Sequence, residues 1–84
     1  MFDYYFTFRS MTAAQLAVTE LNKSGISSSL LRAPKAISSM GCSYAVRVSY
    51  HNGPAAALIL RQTGIAFTKV FHLDDSAIWK EAFL

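Results

Sequence analysis

The chain has 84 residues, of which 52% are apolar, 13% aromatic and 15% charged, enough for one small domain with its own core and too few for a multidomain enzyme. A charged share below the roughly 25% of an average domain excludes a disordered chain. The net charge of +3 is mild, and no Lys/Arg cluster of the kind that marks a nucleic-acid patch accompanies it.

The strongest regularity is an internal repeat at an offset of 39 residues. Leu21-Asn22-Lys23-Ser24-Gly25-Ile26 matches Leu60-Arg61-Gln62-Thr63-Gly64-Ile65, and the same offset lays Tyr5 on Tyr44 and Ala17 on Ala56. In the first copy, Tyr4 to Phe8 is aromatic and Thr-rich and predicts a strand. Ser10 is placed to cap a helix whose Ala14, Ala17, Val18 and Leu21 form one apolar face, with Gly25 as its left-handed stop. Ile26 to Leu31 follows as a short, weakly buried second strand. In the second copy, Tyr44, Val46, Val48 and Tyr50 alternate with Ala45, Arg47 and Ser49, the period of a strand with one buried face. Asn52-Gly53-Pro54 opens a second helix that ends at Gly64, and Ala66 to Phe71 is the fourth strand. The resulting βαββαβ order predicts an α+β fold: a ferredoxin-like sandwich, with a four-stranded antiparallel sheet and both helices on one face.

Two segments break the repeat. One is the connection Ala33 to Cys42 between the second and third strands. The other is the tail, residues 74–84, where Asp74, Asp75 or Ser76 would cap a short amphipathic helix carrying Ile78, Trp79, Ala82 and Phe83 on one stripe. The domain is thus expected to span residues 1–73, followed by an amphipathic C-terminal tail, residues 74–84, that docks either on its own domain or on a partner. Residues 1–73 carry seven bases and two acids, a net of +5, whereas the tail carries a net of −2.

Cys42 is the one residue with nucleophilic power near neutral pH. It follows Gly41 where the loop turns into a strand, and Ser38, Ser39 and Ser43 offer hydroxyls to a thiolate, with Lys35 a nearby positive charge. Against this stands the frequent use of free cysteine as a small buried hydrophobe. No enzyme constellation accompanies the thiol: His51 and His72 lie at other strand ends, and one Cys with two scattered His falls short of a zinc site. No metal or cofactor is expected. The longest apolar run, Ala55 to Leu60, falls far below the roughly 20 residues of a spanning helix, so no membrane contact is expected. A start without a basic n-region and a single cysteine point to a cytoplasmic protein with a reduced thiol.

Two other classes stay open. Tyr5 or Phe6, with Phe67 or Phe71 and Lys69, would form an aromatic sheet face able to stack unpaired bases, although the third strand lacks the string typical of RNA-recognition motifs. A small homo-oligomeric interaction or regulatory module with a structural cysteine, pairing through a sheet face or strand edge, is the other.

Tyr5-Phe6-Thr7-Phe8 with Ser10, the Gly25-Ile26 helix stop, the Pro34 to Cys42 loop with Ile37-Ser38-Ser39, and Ala45-Val46-Arg47-Val48 together resemble a small bacterial family, the selenium or sulfur carrier-like proteins. The resemblance covers residues 4 to about 71. It implies a non-enzymatic carrier that holds a persulfide or selenopersulfide between a donor protein and an acceptor protein, with the family's loop cysteine at Cys42 and its loop proline at Pro34. Glycine, which the family places after the cysteine, stands before it here, as Gly41, and Ser43 follows. For such a carrier, Arg32, Trp79 and Phe83 are candidates for partner docking.

Overall fold

A computed structural model describes residues 3–38 and 41–84. The strands are β1 (Tyr4–Phe8), β2 (Ser28–Arg32), β3 (Tyr44–Val48), β4 (Val70–Leu73) and β5 (Trp79–Ala82). Two helices, α1 (Met11–Lys23) and α2 (Gly53–Gln62), the second entered through a short 3-10 turn at Tyr50–Asn52, complete the α+β fold. The five strands form one antiparallel sheet in the order β2-β3-β1-β4-β5.

The repeat is visible in atomic detail at both helix ends. Ile26 N–H donates to the Leu21 carbonyl at 2.9 Å and Gly25 N–H to Asn22 at 3.1 Å. In the second copy Ile65 N–H donates to Leu60 at 2.9 Å and Gly64 N–H to Arg61 at 3.3 Å. Both are Schellman stops, which need a residue at positive φ; Gly25 and Gly64 take φ values of +81° and +72°. At the other end of α1 the Ser10 hydroxyl accepts from Ala13 N–H at 3.0 Å, and Pro54 stands in the first turn of α2, where its missing N–H had no helical partner.

Strand register divides the side chains between two faces. Tyr4, Phe6 and Phe8 lie opposite Val48, Val46 and Tyr44, and Phe6 also opposes Val70. These residues meet Ala14, Ala17 and Leu21 of α1 and Ala56, Ala57 and Leu60 of α2 in the main core. Alanines on both helices let the backbones approach the sheet closely, while Phe6 and Phe8, wholly buried, each contribute on the order of 1.5–3 kcal/mol. The face away from the helices carries Tyr5, Thr7, Ala45, Arg47, Phe71, Leu73, Trp79 and Glu81.

Two expectations are corrected. The tail is not a helix but a fifth strand, paired in the register Val70↔Ala82 to Leu73↔Trp79, so the sheet has five strands and not four. Asp74 drives the turn: its carboxylate accepts from the N–H groups of Ser76 at 2.9 Å and Ile78 at 3.0 Å, while Ala77 adopts φ +60°. These hydrogen bonds to the charged form hold the Asp74 carboxyl below its ordinary value.

The fourth strand also starts later than expected, at Val70, because a β-bulge precedes it. Thr68 N–H donates to the Thr7 carbonyl at 2.8 Å, and Thr7 N–H donates to the Lys69 carbonyl at 2.9 Å. The second N–H of the bulge, on Lys69, donates to the Thr7 hydroxyl at 3.2 Å. That extra residue reverses the alternation upstream of it and sends Phe67 to the helix side, edge-on to Phe6 at 5.0 Å. Thr7→Val keeps the shape and removes the acceptor, leaving the Lys69 N–H unmatched, and is expected to cost about 1–2 kcal/mol. Thr7→Ser should retain most of the stability. Urea denaturation of the two variants checks this, and equal midpoints for Thr7→Val and the parent would show that the hydroxyl does not hold the bulge.

Candidate functional site

The connection between β2 and β3 is closed at its base by Ala33 N–H donating to the Ser43 carbonyl at 2.9 Å. Pro34 begins a tight turn in which its carbonyl accepts from Ile37 and Ser38, both at 2.9 Å. Gly41 takes φ +81°, with open space where a side chain would be, so the backbone reverses there and delivers Cys42 inward. Ser39 lies outside the described residues.

Cys42 is only 2% exposed. Ile37, Cys42 and Ala45 are buried, yet none of them belongs to the core beneath the helices. Ala45 opposes Thr7 and Leu31 on the helix-free face, and an alanine there would be accessible without a cover. The loop therefore folds back over this end of the sheet, with Ile37 and Cys42 its buried side chains among the described residues. A carrier thiol must be reached by its donor, and Cys42 is not presented to solvent in this closed arrangement.

The expected supporting residues divide. Pro34 and Ser43 are half-buried at the loop base, whereas Lys35, Ser38 and Gly41 face solvent. Among the described residues no hydrogen bond or ion pair joins Lys35 or any loop hydroxyl to Cys42. The loop's backbone hydrogen bonds in that set are all internal to residues 33–43. Among the described residues, the side chains of Ile37 and Cys42, and no polar tie to the body, hold it closed. Ile37 is the functional residue that the sequence reading misses, although a lone β-branched apolar residue amid Pro, Lys and Ser is a fair sign of an anchor.

The proposed docking residues do not converge. Arg32 ends β2 with its guanidinium 5.7 Å from the Tyr44 ring centre. Trp79 lies across the helix-free face, edge-on to Tyr5 at 4.9 Å, and Phe83 is 87% exposed beyond β5. On that same face the structure selects Tyr5 and Phe71 for the aromatic surface, since Phe6 is in the core and the bulge removes Phe67. Its two bases each have an acidic neighbour, Arg47 with Asp3 at 3.5 Å and Lys69 with Glu81 at 3.7 Å. His51 and His72 sit at the opposite end, where His72 packs edge-on to Tyr4 at 5.8 Å. Burial and the neighbouring Tyr50 push the Tyr4 hydroxyl pKa up. Among the described residues no three of His, Cys, Asp and Glu gather to hold a metal ion, and no helix is long and apolar enough to cross a membrane.

Fold and site together define a small α+β domain with one thiol tucked under a hairpin loop. The chain belongs to the family described as "Putative Se/S carrier protein-like", which it matches over residues 3–72. The match takes in the whole Cys42 loop and ends inside β4, so β5 lies beyond it. No curated protein and no solved structure matches the chain significantly.

Proposed function

We propose that this protein is a non-enzymatic carrier that holds sulfur or selenium on Cys42, within a ferredoxin-like sandwich extended by one edge strand. Family membership supports the class of cargo. The observation that carries the assignment to Cys42 is that the chain's single thiol sits in a loop whose described residues bury Ile37 and Cys42, without a described hydrogen bond to the body. Such a loop opens at modest cost and shields a bound chalcogen when closed.

In the transfer step the Cys42 thiolate attacks the outer sulfur of a donor persulfide, R–S–SH. A new S–S bond forms on Sγ, the donor's S–S bond breaks, and R–S⁻ leaves and takes up the proton released by Cys42. No net oxidation occurs, because a sulfane sulfur only changes its thiol partner. Delivery is the same exchange with an acceptor thiol, and the selenium case replaces the outer atom. Donor and acceptor are both proteins in this reading, and the cytoplasm, where thiols stay reduced, is the compartment that suits it.

Incubation with glutathione persulfide followed by intact-mass measurement tests the proposal. The expected result is a gain of one sulfur atom, reversed by dithiothreitol and absent from Cys42→Ser. A chain that gains no sulfur under conditions in which iodoacetamide does alkylate Cys42 overturns it. The burial of Cys42 favours a second reading, an interaction module with a structural cysteine, and that negative result would select it.

A further inference from the structure

Among the described residues the sheet has two free edges, β2 and β5, and they differ in how they meet a second strand. In an antiparallel pair, residues alternate between pointing their backbone groups at the neighbour and away from it. The Ala33 to Ser43 bond fixes the phase for β2: Ala33, Leu31 and Ser29 address β3, so the N–H and C=O groups of Ser28, Leu30 and Arg32 point out of the sheet. By the same logic the Asp74 N–H to Ile78 carbonyl bond turns Ile78, Lys80 and Ala82 toward β4 and leaves Trp79, Glu81 and Phe83 outward.

Two copies that pair such edges antiparallel are related by a two-fold axis normal to the sheet, which sets one residue opposite itself. On β5 the register that uses all three outward residues places Glu81 against Glu81 of the second copy, and like charges directly opposed are destabilising. A shift by one residue sets Lys80 on Lys80 in one direction, and in the other leaves only Glu81 and Phe83 to pair, with four backbone hydrogen bonds and not six. This edge is protected by its charges.

On β2 the corresponding register places Leu30 opposite Leu30, and Ser28 opposite Arg32 at either end. Six backbone hydrogen bonds then form, because every outward N–H meets an outward C=O. Four consecutive residues, Ser28 to Leu31, carry no charge, and the two Arg32 side chains stand at opposite ends of the ladder. Leu30, 37% exposed in the single chain, gains cover from its counterpart.

We propose that the β2 edge is the site at which a second copy of this chain adds, through antiparallel β2–β2 pairing centred on Leu30, to make one continuous sheet. The inference is independent of what Cys42 carries. It uses main-chain complementarity and a self-complementary register, the mode of recognition by strand addition.

Sedimentation equilibrium of the full chain at sub-millimolar concentration tests it together with three variants. The parent is expected to dimerise. Leu30→Lys sets two ammonium groups face to face and should give a folded monomer by circular dichroism, whereas Glu81→Lys on the other edge should leave the dimer intact. Because Leu30→Lys could lose its fold, Leu30→Cys provides an independent readout. The paired Cα atoms would lie about 5.5 Å apart, within the span a disulfide bridges, so mild oxidation should give a covalent dimer, and Ser29→Cys should not. A monomeric parent, a dimer untouched by Leu30→Lys, or cross-linking equal in Leu30→Cys and Ser29→Cys would overturn the proposal.

Discussion

Truncating Ile37 to alanine is expected to raise the rate of iodoacetamide alkylation of Cys42 by roughly 10- to 100-fold at neutral pH. Reaction requires the loop to leave the sheet, and the observed rate scales with the open fraction. Ile37 is the larger of the two side chains that the described part of the loop buries. Its loss should shift the local equilibrium by about 1.5–3 kcal/mol, the worth of burying such a side chain, and each 1.4 kcal/mol is a factor of ten. In the parent, alkylation should be slow yet insensitive to low urea, since local opening exposes little surface compared with global unfolding. Circular dichroism should show Ile37→Ala still folded. If the parent reacts only as fast as the whole domain unfolds, and Ile37→Ala changes the rate only as far as it changes global stability, the loop is no independent unit and Cys42 is a core residue.

How much of this was legible in the sequence follows from where each signal resides. The repeat could be read because its marks are local: Gly25 and Gly64 sit where a left-handed residue must stand, and Ser10 where an orphan N–H needs an acceptor. These are interactions within five or six residues of chain; the glycine stops appear in both copies, the side-chain cap in the first alone. The tail deceived for the opposite reason. Ile78, Trp79, Ala82 and Phe83 satisfy a helical spacing over a stretch too short to separate it from a strand. What decides is pairing with β4 and the contact of Trp79 with Tyr5, both of which are non-local. The Asp74 carboxylate was expected to cap a helix and instead holds a turn, two uses of one chemistry.

The bulge at Thr68 and Lys69 left no local trace at all, since its stabilising partner is Thr7, some sixty residues earlier. It nonetheless determines that Phe67 joins the core and Phe71 the helix-free face. The candidate site was half legible. Gly41 and Pro34 announced a loop, and Cys42 its chemistry, but the burial of the thiol depends on how the loop folds back over the sheet, which no spacing rule encodes.

Gly53 offers the sharpest test of how the two ends of the fold are joined. Its φ of −55° is ordinary for any residue, so its role is space and not conformational freedom. A Cβ there would overlap two ring carbons of Tyr4 and press on Leu84 at 3.2 Å. Tyr4 cannot retreat, for it lies on the central strand, stacked on Tyr50 at 5.1 Å and against His72. Alanine would recover about 0.5–1 kcal/mol through backbone entropy, but overpacking of a fixed ring costs 1–3 kcal/mol and can exceed that range. Gly53→Ala is therefore expected to lower stability by about 2 kcal/mol, a Tm drop on the order of 10 °C for a domain of this size. The cause is separable by a double-mutant cycle. In a Tyr4→Leu background, where the ring is gone, Gly53→Ala should cost little or even stabilise, because only the entropic gain remains. If the penalty of Gly53→Ala is the same with and without the Tyr4 ring, the close approach of α2 to β1 is not what requires glycine at this position.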